Sequence, residues 1–129
     1  MMRTIGGFMF VLLSFATALV PAPAVAQNYP ARAIRIVVPF APGGATDAVL
    51  RMLAPRLSEN LGQQVVVDNR PGGASTIGMD MVAKAAPDGY TLLIGSNGPI
   101  AINKTLYERL PFDPDRDLRP ISLLAAAPQ

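Results

Sequence analysis

Two stretches of the chain, Pro42-Gly43-Gly44-Ala45 and Pro71-Gly72-Gly73-Ala74, are the same tetrapeptide. Hydroxyls follow each: Thr46 after the first, Ser75 and Thr76 after the second. Ser96-Asn97-Gly98-Pro99 has similar makings. Glycine lets the main chain itself approach a ligand, and proline stiffens that approach. Where such a loop runs into a helix, unpaired N–H groups and the helix dipole favour an anion. The hydroxyls of Thr46, Ser75, Thr76 and Ser96 either cap their helices or donate to a bound carboxylate. The chemistry on offer is a cradle of neutral donors, able to hold a small anion without transforming it. A single Gly-Gly ahead of a helix is more often plain turn chemistry. Three such loops at one end of a sheet favour the cradle.

Composition removes most other chemistry. The 129 residues include no His and no Cys. That excludes a disulfide framework, a thiolate nucleophile, a Cys/His zinc site, a Ser-His-Asp triad and an imidazole base. No serine sits in a Gly-x-Ser-x-Gly elbow. Neither glycine pair completes a phosphate-binding P-loop or a dinucleotide fingerprint. Asp113-x-Asp115-x-Asp117 imitates the opening of a calcium loop, but Leu118 and Leu124 stand where its glycine and final glutamate belong. A net charge of +2 is too small to imply nucleic acid. The sequence therefore points to no catalytic residue, no metal and no cofactor. Three side chains near the loops read two ways. Arg70 clamps a carboxylate, or pairs on the surface with Asp68 or Asp88. Asp47 serves the first turn of its helix as a cap, or meets an amino group on the ligand. Phe40 walls the pocket or packs in the core.

The elements that must position these loops alternate. Ile34–Pro39 reads as a nearly continuous apolar strand, as in a parallel sheet covered on both faces. Apolar residues at Val49, Leu50, Leu53, Leu57 and Leu61 predict a helix over Thr46–Leu61, stopped by Gly62 and kinked or divided at Pro55. The plan repeats with a strand at Gln64–Asn69 and a helix at Ser75–Ala86. It repeats again with a strand at Tyr90–Gly95 and a helix from Pro99 to about Tyr107. Leu110–Asp117 reads as irregular, and Ile121–Ala125 as the start of another strand. Such alternation with short connections predicts an α/β fold, a parallel sheet built from βαβ units. Loops leaving the carboxyl ends of its strands converge on one edge, where ligands bind. Ahead of all this, Met1-Met2-Arg3, the apolar run Ile5–Val20 and Ala24-Val25-Ala26 form an export signal with cleavage before Gln27. The mature chain is then exported without a membrane anchor.

Longer motifs point further. Tyr29-Pro30, Val38-Pro39-Phe40-Ala41-Pro42-Gly43-Gly44-Ala45-Thr46-Asp47 and Val67-Asp68-Asn69-Arg70-Pro71-Gly72 resemble the Bug family, the periplasmic substrate-binding proteins of tripartite tricarboxylate transporters. Ala83-Lys84-Ala85-Ala86-Pro87-Asp88-Gly89-Tyr90-Thr91-Leu92, Ala101-Ile102-Asn103 and Leu110-Pro111-Phe112-Asp113-Pro114 continue the match.

The resemblance implies a periplasmic-binding-protein type II-like Venus flytrap that closes on a small carboxylate and delivers it to a cognate membrane permease, as a monomer. It implies a carboxylate grip, largely through backbone donors and ordered water, by the loop of Pro42, Gly43, Gly44, Ala45, Thr46 and Asp47. Gly72, Gly73, Ala74, Ser75 and Thr76 form the second contact and Ser96 and Asn97 the third, with Phe40 beside them. Two lobes need on the order of 200–300 residues. Residues 27–129 are thus expected to form part of a first lobe, truncated before the second, behind a signal at 1–26. A lone wall of this kind should bind weakly. Two other readings stay open at this point: an exported α/β enzyme acting on a small carboxylate or phosphate ester, and a non-functional remnant.

Overall fold

The structure, a computed structural model, describes residues 28–126. The expected signal segment and its expected cleavage site lie outside the described residues. Strand β1 (Ile34–Val38) leads to helix α1 (Ala45–Leu61), strand β2 (Val65–Asn69), helix α2 (Thr76–Ala83) and strand β3 (Thr91–Leu93). A wide helical turn at Gly98–Ile102 then runs into the short helix α3 (Asn103–Leu106), and α4 (Pro114–Asp117) follows. The three strands are parallel in the order β2-β1-β3, with Ile36 opposite Val67 on one side and Leu92 on the other.

Side chains alternate along β1, so its two faces serve different helices. Ile34, Ile36 and Val38 pack with Leu50 and Ala54 of α1 and with Val65 and Ile94. On the other face Arg35 reaches Met81 of α2, and Gly78 of α2 lies against Pro39. Val37 and Met79 are fully buried. A chain that leaves β1 for β2 and then steps back across to β3 has a switch point between β1 and β3. In open parallel sheets the carboxyl end of such a point is where a crevice forms.

Several local expectations change. Helix α1 begins at Ala45, with Gly44 rather than Thr46 as its cap, and no side chain closes it. It is not divided at Pro55, whose ring lies on the exposed side, where the lost donor can be offset by water. Gly62 ends it in the left-handed conformation at φ 65° as expected. Helix α2 is shorter than its apolar pattern suggested. Residues 110–117 are not wholly irregular. Asp113 accepts from the Asp115 N–H at 3.1 Å and Pro114 fills the first turn, a helix-start signal that starts α4. The strand expected at Ile121–Ala125 is absent from the described residues. A strand needs a ladder partner, and this segment is solvent-exposed, with Ile121 at 79% and Leu123 at 81%. No helix among the described residues is long and apolar enough to cross a membrane.

Candidate functional site

The three loops at the carboxyl ends of the strands do meet. They enclose an open hollow of about 480 Å³. Pro39, Phe40 and Ala41 line it from the first loop, Pro71, Gly72, Ala74 and Ser75 from the second, and Gly98, Pro99, Ile102 and Asn103 from the third. Phe40 does both things foreseen for it: it lines the hollow and packs against the core.

The identical tetrapeptides take different shapes. In the first, Gly43 has φ 85°, Gly44 has φ −75° and Ala45 is already helical. In the second, Gly72, Gly73, Ala74 and Ser75 all have positive φ, at 122°, 55°, 48° and 75°. Two of these are not glycine, and each such residue costs roughly 1–2 kcal/mol in the left-handed region. The turn is held from outside: Asn103 Nδ2 donates to the Ala74 carbonyl at 2.9 Å, and Thr76 N–H donates to the Gly73 carbonyl. Asn103 is buried, so the third loop braces the second.

Asp47 explains the difference. Its carboxylate is 2% exposed and faces inward. Oδ2 accepts from Gly43 N–H and Arg51 Nε, each at 2.9 Å, and Oδ1 accepts from Asn69 Nδ2 at 2.9 Å. Asn69 Nδ2 also donates to the Phe40 carbonyl at 3.3 Å, and Arg51 Nη2 donates to Asn69 Oδ1 at 3.0 Å. The Arg51 hydrogen bond, then Gly43 N–H, then Asn69 hold the Asp47 carboxyl well below the ordinary range. Asp47 therefore ties the first loop to β2. The expectation that it meets an amino group on a ligand gives way to this bracing role.

The remaining candidates divide. Gly72, Ala74, Ser75 and Phe40 line the hollow; Pro42, Gly43, Gly44, Ala45, Thr46, Gly73, Thr76, Ser96 and Asn97 do not. Asn97 instead caps the turn that follows, accepting from Gly98 N–H at 3.0 Å. Arg70 pairs with Asp68 at 3.0 Å, the surface reading, and is not among the residues that line the hollow. Burial pushes the Asp68 carboxyl up, but hydrogen bonds from Arg35 and Arg70 outweigh it and leave the group lowered. The acidic triplet is taken up locally. Lys104 pairs with Asp113 and Asp115, and Arg116 with Asp117.

Sequence reasoning passed over Pro39, Ala41, Pro71, Gly98, Pro99, Ile102 and Asn103. Ile102 and Asn103 were signalled, because they end one of the motifs that carried the resemblance. Ser75 is the hydroxyl the site keeps. It is buried at the start of α2 and makes no capping bond to that helix. The arrangement offers a helix start, the hydroxyl of Ser75 and an apolar wall.

Comparison with known proteins agrees in kind. The family model described as "Tripartite tricarboxylate transporter family receptor" matches residues 49–129. Protein BugT of Bordetella pertussis is 47% identical over 114 residues, covering 88% of this chain and 35% of that protein. MatC of Rhodopseudomonas palustris, solved with bound malate, is 40% identical at a TM-score of 0.71, over 74% of this chain and 33% of that one. R. palustris Rpa4515, solved with adipate, is 45% identical at a TM-score of 0.64, over 67% and 29%. The chain thus spans about a third of the length of the curated relatives it matches.

Proposed function

Because this chain belongs to the tripartite tricarboxylate transporter family of receptors, we propose that it supplies one wall of a periplasmic solute-binding site for a small carboxylate. One observation carries the reading. Three loops at the carboxyl edge of a parallel sheet converge on one hollow, with the start of α2 and the buried Ser75 hydroxyl in its lining. A carboxylate seated there gains the dipole of α2 and a hydroxyl donor without requiring a counter-charge. The malate and adipate in two relatives are acids of this general kind. Export would follow from the signal at residues 1–26, cut between Ala26 and Gln27. Delivery to a membrane permease would follow from closure of a complete two-lobed receptor.

Capture without chemical change fits the lining, whose only polar side chains are Ser75 and Asn103. Neither has an acid or base beside it, and the nearby carboxylates Asp47 and Asp68 are committed to Arg51, Arg35 and Arg70. One wall alone should bind weakly, with Kd of about 1 mM or above. Ligand-observed NMR with adipate and with its uncharged diamide tests the reading. Adipate should bind and be recovered unchanged, and Ser75→Ala should weaken it. Equal binding of the diamide, or turnover of the acid, would refute the proposal. Micromolar or tighter affinity would refute the one-wall account.

A further inference from the structure

Beyond Ser75 and Asn103, the side chains that line the hollow are apolar. Pro39, Phe40, Ala41, Pro71, Pro99 and Ile102 form most of its surface, and neither Lys nor Arg is among the lining residues. The cations that stand nearest in sequence are already used, Arg70 by Asp68 and Lys104 by Asp113 and Asp115, and Arg51 is taken by Asp47 and Asn69. The rim adds to this. Ile102 is 57% exposed and Ile77 is 54% exposed. Ile77 overhangs the second loop so closely that a Cβ on Gly72 would lie 2.7 Å from its Cδ1. Ile102 lines the hollow and Ile77 stands over its Gly72, so the two extend its apolar surface outward.

We infer that this wall selects acids whose carboxylate is followed by an apolar carbon chain, over hydroxylated or triply charged acids. The inference rests on the proposed carboxylate site and names its substrate class. One carboxylate takes the corner made by Ser75 and the start of α2, where Ser75, a residue only 5% exposed, lines the hollow and makes no capping bond to the helix. The carbons beyond it lie along Phe40 and Ile102. A hydroxyl on those carbons would leave water for an apolar surface, and a further carboxylate would do so without a counter-charge. Asn103 already spends one of its two amide N–H donors on the Ala74 carbonyl.

A titration series on the full chain tests this, using two-dimensional NMR to reach weak affinities. The probes are acetate, butanoate and hexanoate, then succinate, adipate, malate and citrate. Full burial of a methylene is worth about fourfold in affinity. On an open wall the expected gain is about twofold per methylene from acetate to hexanoate. Adipate should exceed malate and citrate by about tenfold. Ile102→Asn, a change at a largely exposed position, should flatten the alkanoate series. A flat series in the unaltered chain, or tighter binding of malate or citrate than adipate, overturns the inference while leaving the carboxylate site intact. Binding of none of these acids overturns the site itself and the inference with it.

Discussion

Gly78 is where the fold depends most plainly on the absence of a side chain. It lies in α2, above the point where β1 gives way to the first loop. A Cβ built on it would stand 2.8 Å from Pro39 Cβ, 2.9 Å from the Arg70 carbonyl oxygen and 3.0 Å from Pro39 Cα. Two of those atoms are main chain, and the third belongs to a proline ring, so none can swing aside. Ala in place of Gly regains about 1 kcal/mol of helix propensity. Overpacking of a tight contact costs about 1–3 kcal/mol, and rigid neighbours put this case at the upper end. The net loss for Gly78→Ala should be about 1–2 kcal/mol. For a domain near 100 residues that lowers Tm by roughly 5–15 °C. Gly44→Ala is the matched control. It sits at the cap of α1 rather than inside a helix, and its Cβ would meet only the Ala41 carbonyl at 3.7 Å, with an ordinary negative φ. It meets no clash and loses only the cap preference of glycine over alanine, so it should lower Tm by less than Gly78→Ala does. The assay is thermal unfolding by circular dichroism. The same displacement of α2 would shift Ser75 and Pro39, so Gly78→Ala should also weaken carboxylate binding. An unchanged or raised Tm for Gly78→Ala would refute the reasoning.

Other positions test other parts of the account. Ala74→Gly relieves a left-handed alanine at φ 48°, and should stabilise by about 0.5–1 kcal/mol in urea after the added flexibility of glycine is deducted. A loss of stability would show that the left-handed turn is not strained. Leu50→Ala removes a fully buried side chain between α1 and β1, and should cost about 2–5 kcal/mol in the same measurement. Asp47 sets a pH dependence. Its folded value lies below the ordinary 3.8, so the stability it supplies is complete above 3.8 and fades as pH falls from there through the folded value. Asp47→Asn should therefore lower the urea midpoint at pH 7, with the gap to the unaltered chain narrowing below about pH 3.8. A gap that stays constant down to pH 2.5 contradicts the assigned role.

The β-branched runs and helical spacings were readable because each depends on burial pattern alone. Strands β1 and β2 and helix α1 lie within a residue of where periodicity places them. What could not be read was which way a loop turns. Pro42–Ala45 and Pro71–Ala74 are chemically identical, yet one wraps Asp47 and the other is held left-handed by Asn103. The deciding partners are distant: Asn69 lies 22 residues from Asp47, and Asn103 lies 29 residues from Ala74. Local sequence carries no trace of such contacts. The same limit explains Asp47, which as a first-turn acid is unremarkable until Asn69 and Arg51 close around it. Ile121–Ala125 failed for a related reason, since its pattern suits a strand but a strand exists only beside a neighbour.

The most direct test is a ¹H–¹⁵N chemical-shift titration of the purified chain with adipate, run to tens of millimolar. The account predicts saturable shifts at Phe40–Ala41, Gly72–Ser75 and Gly98–Asn103, the three segments that enclose the hollow. It predicts little change at the second depression, of about 220 Å³, bordered by Lys104 and Phe112. Shifts confined to that second site, or the absence of any saturable shift, would contradict the claim that these three loops form a carboxylate-binding wall.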